Sequence, residues 1–125
     1  MFPHSYIRDL TPMLEAAYHR KIKVLISSAG GAGSDGQTSD FVELINEIAT
    51  TNDWQLKVVA VFSGVEKSLV REKLLETKVV PCGEGPRPLE VADVDEVKEV
   101  VAQIGAEPFM EVLSESSLGT DCGTV

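Results

Sequence analysis

Cysteine and histidine are scarce in this chain. Its 125 residues hold two of each, Cys82 with Cys122 and His4 with His19. No Cys-x-x-Cys pair and no Cys/His cluster with zinc spacing occurs, so neither a disulfide framework nor a metal site is expected. Such cysteine usage suits a reducing compartment. A Ser-His-Asp triad would have to recruit one of the two histidines, and neither reads as a general base. Long apolar runs are also missing. Nothing approaches the ~20 residues of a membrane span. The opening Met1-Phe2-Pro3-His4-Ser5 lacks the basic-then-apolar order of a secretory signal. Positive charge is in deficit: 20 Asp and Glu stand against 11 Lys and Arg, a net charge of -9. That balance repels nucleic acid and anionic membrane surfaces, and both are excluded from the expected partners. The one dense basic run, His19-Arg20-Lys21 with Lys23, is read as closing a helix C-terminus, where positive charge suits the dipole.

What remains is an ordinary globular composition, 43% hydrophobic and 25% charged, at the length of one domain. The first helical pattern runs over 10–18, with Leu10, Met13, Leu14 and Ala17 on one face and Pro12 as its first helical residue. The run 22–28, IKVLISS, and the run 56–62, LKVVAVF, are short and β-branched without clean polar alternation. Both read as strands buried on two faces. Between them, Phe41, Leu44, Ile45 and Ile48 mark a helix over 38–50, capped by Thr38 or Ser39. A third helix is expected over 66–77 and a short third strand over 78–80. The glycines and prolines of 81–88 make a loop. The valines 94, 97, 100 and 101 with Ile104 predict a long helix over 91–105, and 107–113 a short one behind Pro108. Residues 114–125 are small and polar and read as a mobile tail. Alternating strands and helices predict an α/β fold. Its expected form is three-layer, a mostly parallel β-sheet of about three strands flanked by helices.

The segment Ala29-Gly30-Gly31-Ala32-Gly33-Ser34-Asp35-Gly36 then joins a strand to a helix. In parallel α/β sheets ligands bind beyond the carboxyl ends of strands. Glycine admits positive φ and close backbone approach, and the next helix N-terminus adds a favourable dipole for an anion. The candidate ligand-binding residues are therefore Ser27, Ser28, Gly30, Gly31, Gly33 and Asp35, and the ligand class a phosphate, pyrophosphate or carboxylate. The bland alternatives are local: the serines satisfy backbone groups, and Asp35 stabilises the turn or helix start. Gly31, Gly33 and Gly36 match GxGxxG, yet the following strand ends at Phe62-Ser63-Gly64 without the acid that would hold a ribose, so a nicotinamide site is disfavoured. No Gly-Lys-Ser/Thr of a Walker loop and no GxSxG elbow is present. No residue is assigned to catalysis.

Three segments together carry a resemblance: Tyr6-Ile7-Arg8-Asp9-Leu10 leading to Leu14 and Ala16-Ala17; Val24-Leu25-Ile26-Ser27-Ser28-Ala29-Gly30-Gly31-Ala32-Gly33; and Asp93-Val94-Asp95 through Gln103-Ile104-Gly105-Ala106-Glu107-Pro108-Phe109. In order and spacing they resemble the N-terminal domain of the acyclic terpene utilisation (AtuA) family. The resemblance implies a partial AtuA-like α/β domain over 1–113. It also implies a cytoplasmic catabolic setting linked to acyclic terpene or acyl-CoA degradation, and a CoA-linked or otherwise anionic small molecule at the glycine-rich loop. Family members are longer, so the resemblance implies a fragment, with homo-oligomerisation or membership of a longer chain expected to cover the sheet edge left exposed. Two other readings stay open: a non-catalytic interaction or remnant module, and a nicotinamide-dependent oxidoreductase.

Overall fold

The computed structural model describes residues 3–85, 87–114, 123 and 124. They fall into two compact units, Met1–Phe62 with Ile104–Val125, and Ser63–Gln103.

In the first unit two long helices supply the core. Helix α1 spans Pro3–Arg20 and α2 spans Asp35–Thr51. Leu10 and Leu14 recur at i and i+4 on α1, and Phe41, Leu44, Ile45 and Ile48 at helical spacing on α2. These six form one buried cluster. The ring of Tyr6 meets Phe41 edge-on at 5.0 Å. Removing each such side chain from water stabilises by about 1.5–3 kcal/mol, which lets the helical pattern dominate. Ile26, Trp54, Leu56 and Val58 pack on the same cluster from outside the helices. Strand β1, Leu56–Lys57, pairs in parallel with the C-terminal strand β4, Gly123–Thr124. Helix α5, Glu107–Ser114, completes the unit. Lys23 Nζ donates to the Leu113 carbonyl at 2.9 Å.

The second unit holds strand β2, Gly64–Val65, helix α3, Lys67–Leu75, helix α4, Val91–Glu96, and strand β3, Val100–Val101. The two strands are antiparallel, with Gly64 opposite Val101 and Val65 opposite Val100. The Ala102 N–H donates to the Ser63 carbonyl at 2.8 Å and extends that pairing. Val94 is its one fully buried apolar side chain among the described residues. Polar contacts do much of the remaining joining. Lys67 Nζ donates to the carbonyls of Asp95 and Val97, and Arg71 to the Asp95 carboxylate. Arg87 Nη1 donates to Asp93 Oδ2 at 2.8 Å, and the Glu90 N–H donates to the same oxygen at 2.8 Å. These contacts hold the Asp93 carboxyl below its ordinary range, the Arg87 bond being the larger cause.

Several sequence expectations are overturned. The three-layer α/β fold does not form. Among the described residues helices hold most of the regular structure, and the four strands are each two residues long, in one parallel and one antiparallel pair. A doubly buried strand needs neighbours on both edges and layers on both faces. Among the described residues the run 22–28 has neither: Ile22 and Leu25 are 50% and 59% exposed, and of the run Lys23 alone makes a bridge. Of 56–62, only Leu56 and Lys57 are strand, and 78–80 is exposed without regular structure. The helix expected over 91–105 stops at Glu96. Val97 is extended at φ -68°, ψ 146°. β-Branched side chains lose rotamer freedom in a helix and fit a strand. Val100 and Val101 accordingly pair with β2. Pro12 lies inside α1 rather than at its start. The Thr11 hydroxyl donates to the Ile7 carbonyl at 2.6 Å, one residue before the position where Pro12 has no N–H to offer. Of the expected tail at 114–125, Ser114 closes α5 and Gly123–Thr124 form β4, while 115–122 and 125 lie outside the described residues.

The helix ends share a device. Lys21, Asp53 and Thr77 follow α1, α2 and α3 with φ of 52°, 55° and 54°. In each case the next N–H reaches back: Ile22 to the Ala17 carbonyl, Trp54 to Ala49 and Lys78 to Lys73. This is the left-handed C-terminal cap that glycine usually serves. A β-branched threonine is least suited to it. Thr77→Gly relieves about 1–2 kcal/mol of backbone strain against an entropic cost of about 0.5–1 kcal/mol. Urea unfolding is expected to show a net stabilisation approaching ~1 kcal/mol, and no gain contradicts the left-handed geometry.

The lowered Asp93 also sets a pH dependence. A carboxylate whose folded value lies below its unfolded one contributes stability above the ordinary carboxylate range and loses it as pH falls through the folded value. Urea midpoints taken between pH 7 and about pH 3 should fall on acidification, and Asp93→Asn should flatten that fall. An unchanged slope in the variant contradicts the pairing.

Candidate functional site

The glycine-rich loop leads directly into α2, and α2 is anchored by the core. Ser34 is its N-cap, extended at φ -68° and ψ 157°, with its hydroxyl oxygen accepting the Gln37 N–H at 3.3 Å. The expected caps Thr38 and Ser39 lie inside the helix instead. The Thr38 N–H donates to the Ser34 carbonyl at 2.8 Å, and the Ser39 hydroxyl to the Asp35 carbonyl at 3.0 Å. Asp35 is the first helical residue, where its negative charge suits the dipole.

Before the cap the backbone winds through left-handed conformations. Ser28, Gly30, Gly31 and Gly33 have φ of 50°, 70°, 105° and 65°. The Gly31 N–H donates to the Ser28 carbonyl at 2.8 Å, and the Gly33 N–H to the Ala29 carbonyl at 3.1 Å. The Gln37 side chain reaches back across the turn. Its Oε1 accepts the Ala32 N–H at 3.2 Å and its Nε2 donates to the Gly30 carbonyl at 3.0 Å. Gln37 thus ties the loop to the helix it precedes. A Cβ on Gly33 would lie 3.1 Å from the Ser28 Cα, while one on Gly31 would meet open space. A Cβ on Gly30 would lie 2.9 Å from the Gln37 Cδ and 3.0 Å from its Cβ and Cγ.

Four of the six expected site residues, Ser28, Gly30, Gly31 and Gly33, are brought together in this turn. Asp35 stands just beyond the cap, and Ser27 is exposed at the loop's start. Two residues that the expectation omitted hold the arrangement, Ser34 and Gln37. Their signal was present: Ser-x-x-Gln is the capping-box spacing. Here Ser34 makes its half of the box, and Gln37 turns its amide to the loop rather than to the cap.

Other chemistry-bearing residues lie elsewhere. His19 is exposed and packs edge-on with Trp54, their ring centroids 6.3 Å apart, while Tyr18 stacks on Trp54 at 6.0 Å. Cys82 is a free, exposed thiol. Cys122 lies outside the described residues. Among the described residues no group of three or more His, Cys, Asp or Glu is placed to hold a metal ion, and no helix is long and apolar enough to cross a membrane. No protein-family model, curated protein or solved structure matches this chain.

Gly33→Ala combines a left-handed φ with backbone crowding and is expected to destabilise by more than about 1 kcal/mol. Gly30→Ala shares the left-handed φ and would set its Cβ 2.9–3.0 Å from Cδ, Cβ and Cγ of Gln37, so it too should cost more than about 1 kcal/mol. Chemical denaturation of the two variants checks this, and a variant as stable as wild type contradicts it.

Proposed function

We propose that the loop at residues 29–36 is an anion-binding element of a cytoplasmic catabolic protein. Its ligand is an acidic acyclic terpenoid or an acyl-CoA thioester. Resemblance to the AtuA family at Ser27-Ser28-Ala29-Gly30-Gly31-Ala32-Gly33 supplies the metabolic setting. The observation that carries the reading is the Gln37 amide oxygen on the Ala32 N–H, beside the N-terminus of α2. A carboxylate or phosphate oxygen makes the same contact with a full charge behind it.

Magnitudes make the exchange feasible. Withdrawing Gln37 forfeits two neutral hydrogen bonds, each contributing about 0.5–1.5 kcal/mol. A bond to a charged oxygen contributes about 1.5–3 kcal/mol, and the helix N-terminus adds roughly 0.3–1. The chain's net charge of -9 and the Asp35 carboxylate oppose the ligand, so affinity should rise with moderate salt.

Calorimetric titration with an acyl-CoA, free CoA, inorganic phosphate and an acyclic terpenoic acid tests the reading. Wild type is expected to bind at least one of them. Gly33→Val should abolish that binding, and Gln37→Ala, which removes the internal competitor, should tighten it several-fold. Equal binding by wild type and Gly33→Val, or no effect of Gln37→Ala, overturns the proposal.

A second reading, a non-catalytic interaction module, is favoured by the large apolar side chains left in water. Leu25, Phe62, Leu75, Val80 and Met110 are 59%, 53%, 77%, 74% and 64% exposed. Where such side chains form one contiguous surface, they mark a contact site. On this reading the chain self-associates, and sedimentation velocity should show a concentration-dependent species heavier than the 13.5 kDa protomer. A monomer at all concentrations counts against self-association. The nicotinamide alternative has less support, because among the described residues no strand of two or more residues precedes the loop, and no acid stands between 56–62 and Glu66 in the ribose position.

A further inference from the structure

We draw no further inference here: the strongest candidate, the exposed apolar patch of Leu69, Leu75, Val79 and Val80 on α3 and the segment after it, carries nothing because nothing in the structure shows what covers it.

Discussion

The packing of α1 on α2 is the contact on which the first unit depends. Leu14 has no exposed surface, and Phe41, Leu44, Ile45 and Ile48 close around it and Leu10. Ile26, Ala29, Trp54, Leu56 and Val58 are packed against this pair. Ile26 lies against it and so fixes where the chain enters the glycine-rich loop. Leu56 and Val58 lie against it from the segment that follows α2. The direction of α2, and with it the N-terminus that follows the loop, is set by which of its faces is apolar.

The loop is consequently more ordered than its glycine content suggests. Five backbone N–H groups from Gly31 to Thr38 have internal acceptors, from the Ser28 carbonyl to the Ser34 hydroxyl and the Gln37 amide. Left-handed φ values at Ser28, Gly30, Gly31 and Gly33 are what let those bonds close in so short a stretch. The same closure bears on function. At the Ala32 N–H, which the Gln37 amide already holds, an external anion would bind only by displacing that amide. Gln37 is the acceptor that can leave without breaking the backbone.

The second unit is organised differently. With Val94 its only fully buried apolar side chain among the described residues, its elements are joined largely by long cations. Lys67 and Arg71 on α3 hold the end of α4, and Arg87 with the Glu90 N–H holds the Asp93 carboxylate at its start. Exposed ion pairs contribute little each, about 0–1 kcal/mol, and weaken in salt. This unit is therefore expected to be the softer of the two.

The sequence by itself determined the helices whose apolar residues recur every three or four positions, because that period admits one buried face: Leu10 and Leu14 in α1, Phe41 to Ile48 in α2. It also marked the loop, since clustered glycines select positive φ. Strands were not determined in this way. IKVLISS and LKVVAVF are apolar and β-branched, but a strand exists only where a second strand supplies hydrogen bonds, and that partner is a matter of tertiary structure. The valines 97, 100 and 101 satisfied a helical period as well as a strand, and pairing with Gly64–Val65 decided between them. At the loop, the serine and glutamine three residues apart were legible as a cap. Only the folded turn, which brings the Gly30 carbonyl and the Ala32 N–H within reach of one amide, decided that Gln37 fills the place proposed for a ligand.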